Sequence, residues 1–426
     1  MIAVILALFV SAALVAGGAF TFPSKGLISV LLFATALAFF AAVRILAITK
    51  VNLCFASDQI VSIEGRTVYD SSLTTAGNHM MKIMLTGCGT NRGDYGSASG
   101  LVTVLGGRKE IISFGTAVRF EGHFSDSLFV YDRIQVVERS RINAIREYLI
   151  SKLEYRMALS ENDSSTLSAL LLFGRSDYIQ NPIRELAQNC GCAHVLALSG
   201  MHLGILASLS KRLFGNRWFG KAVSAITVAL FVFLAGPRPS LVRAALSFAL
   251  GFLDIRFRVF AVFLIQMILF PASMTELGCC YGYAAVFAIV FLSPMVKAVL
   301  FQFLGKASEL FSATISVMVF SAPIQMIFSG KWHFSAIIAS PIAAFLAACS
   351  MVLGLLILSF GQIPCLVWLN DKVYEALKGL FEFFGSWPAS GWVVYVVFIS
   401  IVILFAFLTV VARSAVRRGR KRFDRT

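Results

Sequence analysis

Residues Cys190–Ser208 read CGCAHVLALSGMHLGILAS, and the fold class of the chain turns on how that run is understood. It is apolar enough for a bilayer, yet it carries His194, Ser199 and His202 among small residues. As one helix, it brings Ala193, Ala197, Gly200, Gly204 and Ala207 round at spacings of three and four, leaving one face almost bare of side chain. Gly200 and Gly204 form a small-xxx-small pair against which a second helix can pack. His194 and His202, about 80° apart round such a helix, would share a broad face beside that spine. Polar side chains at membrane depth are costly and turn toward a partner, a cavity or a pathway. The run is therefore the candidate functional centre.

Composition supports a membrane setting. The 426 residues are 58% hydrophobic and 14% charged, with a mean hydropathy of +0.81. A soluble chain carries about a quarter charged residues, so the expected class is a polytopic α-helical membrane protein. The net charge is +15, and the tail 413–426 holds seven Arg/Lys against one Asp. That tail reads first as a cytoplasmic anchor and only weakly as a nucleic-acid contact. Of eight cysteines, most lie in apolar stretches, where a thiol behaves as a small hydrophobe. Cys54 and Cys88 flank the polar region and are candidates for a disulfide if it faces an oxidising compartment.

Before the central run, residues 2–20 and 27–48 are apolar stretches joined by Phe22-Pro23-Ser24-Lys25-Gly26, an N-terminal transmembrane hairpin spanning 1–50. Residues 51–138 change character. Short β-rich pieces at 60–70, 80–87, 100–106, 117–124 and 127–138 alternate with Gly, Asn and Asp clusters, which predicts a small inserted all-β, OB-like barrel. Such barrels often bind single-stranded nucleic acid through a basic groove with stacking aromatics. Here seven Arg/Lys face nine Asp/Glu, so that groove is missing, and although Tyr69, Tyr95, Phe124 and Tyr131 could stack bases, aromatics in strands are more often core. Residues 139–163 alternate charges with Ile142, Ile145, Leu149 and Leu153 and read as an amphipathic linker lying at the membrane surface. A solvated connecting helix is the alternative.

From 164 to 412 the chain stays hydrophobic, with expected embedded segments at 166–174, 193–210, 218–236, 240–253, 257–271, 277–294, 311–329, 335–360 and 391–412. Lys211, Arg212 and Arg217 fall in one loop, Arg256 and Arg258 in another, and Lys297 and Lys306 in a third. These alternate correctly if all three are cytoplasmic, which puts the barrel outside. The basic tail then also comes out outside, against the same rule. An extra half-crossing in 361–390 would repair the parity, whereas Arg44 and Lys50 favour the opposite orientation.

The motifs in this half match a known pattern. Ala169–Ser176 (ALLLFGRS), followed by His194–Gly204 (HVLALSGMHLG), resembles the hallmark of the ComEC family of competence DNA-uptake channels. Pro239–Ala245 (PSLVRAA) is similar to that family's next signature, and Pro323-Ile324-Gln325 with the Phe328–Phe334 turn resembles a later one. The hairpin followed by an OB-like domain fits the same layout. Two departures stand out. The family's GFQLS motif appears as Gly278-Cys279-Cys280-Tyr281-Gly282, without the Gln and the Ser. No HxHxDH-like cluster occurs among the five histidines, so the resemblance is to the channel without the metallo-β-lactamase-like domain many members carry. Any nuclease is then expected to be a separate chain.

The resemblance implies a channel in a bacterial inner membrane that conducts single-stranded DNA. It also implies an extracytoplasmic DNA receptor and a cytoplasmic ATP-driven translocase as partners, alongside membrane lipid. The residues agree with such a path. A phosphate backbone crossing a bilayer needs donors or positive charges on a wet lumen. His194, Ser199, His202, Arg238 and Arg243 are such donors, with the backbone at Arg238 made irregular by Pro237 and Pro239. Each has a plainer reading: the histidines as interhelical glue, Arg238 at the interface, Gln266 and Gln325 as helix–helix contacts. No GxxxxGK[ST] occurs, so no ATP-hydrolysing P-loop is visible and no enzyme activity or cofactor is expected. An intramembrane metalloenzyme built on Cys190, Cys192, His194 and His202 fits no common zinc spacing. A small-solute secondary transporter, with Asp254 and Glu276 as coupling groups, and a transport-inactive relic of the channel remain alternatives. A pore of one chain and a homodimer are equally open.

Overall fold

The structure is a computed structural model that describes residues 40, 43–74, 78–107, 112–158, 163–174, 182–215, 217–389 and 391–400. The N-terminal hairpin up to 39 and the basic tail lie outside the described residues.

Strand alternation builds the first layer. In β2 (Ile60–Thr67), β4 (His79–Thr90), β6 (Leu101–Gly106), β7 (Ala117–Ser125) and β8 (Leu128–Glu138), apolar residues point inward at every second position. Ile63, Ile83, Val104, Phe120 and Phe129 meet in a closed core. The barrel runs β4-β2-β7-β8-β6 and closes through β6 onto β4, with β6 and β8 parallel and the other pairs antiparallel. That is the OB-like topology, with β1 (Asn52–Leu53), β3 (Ser72–Leu73) and β5 (Tyr95–Ser99) as short additions. Register shifts at Gly65 and Gly122 bend β2 and β7, and a side chain at either would strike the neighbouring strand's backbone. Cys54 and Cys88 are both free, and the Cys54 thiol donates instead to the Ser97 carbonyl at 2.7 Å.

The second layer is helical: α1 (Arg141–Ala158), α2 (Asp163–Phe173), α3 (Pro182–Asn189), α4 (Ala193–Leu196), α5 (Gly200–Phe214), α6 (Trp218–Ala235), α7 (Pro239–Ala249) and α8 (Ile255–Leu269). Then follow α9 (Leu277–Phe287), a π-helical turn (Ala288–Leu292), α10 (Ser293–Leu304), α11 (Ser308–Ser329), α12 (Ala336–Phe360) and α13 (Pro364–Gly385). Among the described residues, four stretches are long and apolar enough to cross a membrane: Trp218–Ala235, Leu277–Ala307, Phe311–Phe328 and Ala336–Phe360. The chain is a membrane protein.

Two expectations are corrected. The run 193–210 is not one helix: Ala197 and Ser199 are extended, at ψ 135° and 173°, and separate the four-residue α4 from α5. The small-residue face and the shared histidine face of a continuous helix therefore do not exist. The segment expected to end at 294 continues to Leu304, so Lys297 sits on a helix, pairing with Glu309 at 3.0 Å, and only Lys306 lies in the turn. Its long stem lets a lysine ride an apolar helix while its ammonium reaches a partner. Region 361–390 is largely the 22-residue helix α13, which buries Asn370, Tyr374, Leu377, Phe381 and Phe384.

Polar rungs lock α2, α12 and α13 together. The Ser168 hydroxyl lies 3.0 Å from that of Ser350, and Ser350 donates to Asn370 Oδ1 at 3.1 Å. Asn370 Nδ2 returns a hydrogen bond to Ser168 at 3.0 Å, and all three residues are fully buried. Gly354 permits the approach, since a Cβ there would lie 2.8 Å from that of Ser168. In a bilayer such rungs supply what the hydrophobic effect cannot.

Candidate functional site

The break between α4 and α5 has a local cause. Ser199 caps α5: its hydroxyl accepts from the Met201 amide at 3.3 Å, while His202 Nδ1 accepts from the Ser199 amide at 3.1 Å. This is a capping box with histidine in the place usually held by Glu or Gln. The S-G-M-H sequence is thus a helix-start signal embedded in an apolar run. His202 is fully buried, and because Nδ1 accepts, Nε2 carries the proton, without a partner among the described residues.

A cavity of about 110 Å³ opens beside the break. It is lined by Leu170, Gly174, Arg184, Gln188, Ala197 and Arg238, among others. The Arg238 guanidinium donates to the Gly174 carbonyl, which bridges the start of α7 to the end of α2. Ser240 donates to the Leu198 carbonyl at 2.5 Å, fixing the extended backbone between α4 and α5. His194 lies on the same broken segment with an exposed side chain and is not among the residues that line the cavity.

Farther along α7, Arg243 turns to α9, its Cζ 5.3 Å from the centre of the Tyr283 ring. Its Nη1 is buried with no hydrogen-bond partner among the described residues. Gly200 lies against α7, where a Cβ would meet that of Ala244 at 3.3 Å, while nothing comes within 4 Å of a Cβ at Gly204.

The barrel docks onto this junction. Asp70 forms a two-pronged pair with Arg146 of α1, Oδ1 at 2.8 Å from Nη1 and Oδ2 at 2.5 Å from Nη2. Their side chains are only 7% and 3% exposed. Arg146 Nε donates to the Leu234 carbonyl at 3.0 Å, two residues before Gly236. Gly236, at φ +83°, leaves room for the pair, because a Cβ would lie 2.7 Å from Arg146 Nη2. Burial alone would raise the Asp70 carboxyl. The Arg146 hydrogen bonds and charge, the Phe114 amide and the nearby Arg238 outweigh it and hold the carboxyl below its ordinary value. A second contact joins Lys82 of β4 to Glu276 just before α9, at 2.7 Å. Tyr69 is tucked in beside Glu276 and Cys279, its hydroxyl pushed up chiefly by burial.

The residues singled out from the sequence therefore fall in three places. Ser199 and His202 meet in the cap, Arg238 lines the recess with His194 exposed on the adjoining α4, and Arg243 stands apart against α9. Sequence reasoning missed Arg184, Arg146 and Asp70. Arg184 and Gln188, one helical turn apart in the amphipathic PIRELAQN, were the available signal for the cavity wall. Among the described residues no three His, Cys, Asp or Glu side chains converge to hold a metal.

A family model described as Competence protein matches residues 171–421, more than half of the chain. The chain belongs to the competence protein family. The matched region takes in the cavity lining except Leu170, the α4–α5 break, Arg238, Arg243 and the Tyr283 face, and leaves out the barrel. ComE operon protein 3 of Bacillus subtilis (strain 168) is 26% identical over 172 residues, which cover 37% of this chain and 22% of that protein. The chain thus matches only about a fifth of that relative's length. No solved structure matches.

Proposed function

We propose that this competence-family protein conducts single-stranded DNA across a bacterial inner membrane during DNA uptake. The observation that carries the reading is the polar recess at the α4–α5 break, where Arg184 and Arg238 face a cavity inside an apolar helical domain. Guanidinium groups match phosphate geometry and stay charged at any working pH. Positive charge lining a recess at membrane depth is where a phosphodiester backbone would be received. The recess is far too small for a DNA strand, so the described state is closed, and conduction requires α4, α5 and α7 to part. Asp70 of the barrel sits close enough to feel Arg238, so the barrel caps the same junction. With no nucleotide-hydrolysing motif in the sequence, the work is expected to come from a cytoplasmic ATP-driven translocase, and the strand from an outer DNA receptor.

The test is entry of labelled DNA into cells carrying variants at equal protein level. Arg243→Ala and His202→Ala should abolish nuclease-protected internal DNA while membrane insertion stays intact. Normal uptake in both would remove these residues from the path.

A further inference from the structure

The altered motif Gly278–Gly282 finds its explanation in Arg243. We propose that Gly282 and Tyr283 form a seat that positions the Arg243 guanidinium for a phosphodiester; the phosphate assignment rests on the function proposed above. Three observations converge on the seat. A Cβ at 282 would lie 2.6 Å from Arg243 Cζ and 2.7 Å from Nη2, and the three atoms nearest to it all belong to that guanidinium. The closest obstacle to a side chain at 282 is therefore the Arg243 guanidinium. The ring of Tyr283 then offers its face, the interaction a guanidinium accepts in place of an anion.

The ring is itself held on two sides. Its hydroxyl donates to Gln266 Oε1 at 2.8 Å, and Phe263 meets it edge-on at 5.1 Å. Gln266, fully buried, uses its Nε2 to hold the Pro239 carbonyl at 3.0 Å and Ser273 Oγ at 3.1 Å. One side chain therefore ties Tyr283 to the first turn of the helix that carries Arg243. Both ends of the lever, the helix start and the ring, are fixed by Gln266. The guanidinium between them keeps Nη1 buried and unpaired among the described residues. A cation–π contact leaves the in-plane Nη1 donors without a protein acceptor among the described residues, and in-plane N–H groups are what take phosphate oxygens edge-on. Where the resembled motif carries Ser, Gly282 has no side chain, and the Arg243 guanidinium occupies that space.

Phenylglyoxal labelling of purified full-length protein, with mass spectrometry on the Arg243 peptide, reads the seat without DNA. Gly282→Ser and Tyr283→Leu should each label several-fold faster than wild type, and Tyr283→Phe less so. Equal labelling rates in wild type and Gly282→Ser overturn the seat. Should Gly282→Ser fail to fold, Tyr283→Leu decides by the same comparison. Uptake then separates this inference from the function. Normal uptake in Arg243→Ala sinks the path reading whatever the labels say. If Arg243→Ala loses uptake, Gly282→Ser should lose it too, and the double variant should be no worse than Arg243→Ala alone. Full uptake in Gly282→Ser, or an additive further loss in the double variant, overturns the positioning role only.

Discussion

Arg146→Met should undock the barrel, and the size of the effect follows from the burial of its partner. The substitution strips Asp70 of both charged hydrogen bonds, leaving a carboxylate that is 7% exposed with the Phe114 amide and the more distant Arg238. Breaking one side of a buried pair costs about 3–5 kcal/mol, most of it from the charge left behind. At about 1.4 kcal/mol per tenfold, the docked state loses roughly a hundredfold to a few thousandfold in population. Chymotryptic cleavage at Tyr148 and Tyr155 of α1, residues present in both proteins, reports that population when opening is fast relative to cutting. Adding Asp70→Asn removes the stranded charge, so the double variant should be cut far more slowly than the single.

Acid gives the opposite sign in the two proteins. In wild type the Asp70 carboxyl is held below its unfolded value of about 3.9, so its contribution is complete above that pH and fades only as pH falls through the lower folded value. In Arg146→Met, burial dominates and raises the carboxyl, so protonation favours docking and protection should improve from pH 7 to pH 5. Equal cleavage of single and double variants, or a single variant indifferent to this acidification, would refute the reasoning.

Ser199→Ala removes the cap of α5 and should cost about 1 kcal/mol, read as a lower melting temperature in detergent, while Ser199→Asp keeps most of it. Asn370→Leu removes the amide that bonds both Ser168 and Ser350, leaving those hydroxyls to each other and to the Ser164 carbonyl, and should cost about 1 kcal/mol. Replacing Ser168, Ser350 and Asn370 together by apolar residues of similar volume should melt higher than Asn370→Leu alone.

The barrel was legible because its signal is local: period-two alternation and turn clusters fix both the strands and the inward face of Ile63, Phe120 and Phe129. What the sequence hid is non-local. Asp70 and Arg146 are separated by 76 positions, and neither stands out until the barrel lies on α6. The central run was misread as one helix because apolar content and small-residue spacing outweighed a capping signal written as S-G-M-H, with histidine in the box. Lys297 was misplaced for a related reason: a positive charge reads as a loop, although a long aliphatic stem lets it stay on α10. Gly282 looked like a lost serine, and only the fold shows that a side chain from α7 claims its space.

The central claim is conduction of DNA, and uptake itself tests it most directly. Labelled duplex DNA is offered to cells with and without this gene, scoring surface-bound and nuclease-protected internal label separately. The account predicts that loss of the gene abolishes internal DNA while surface binding is retained. Unchanged internalisation without the gene would contradict it.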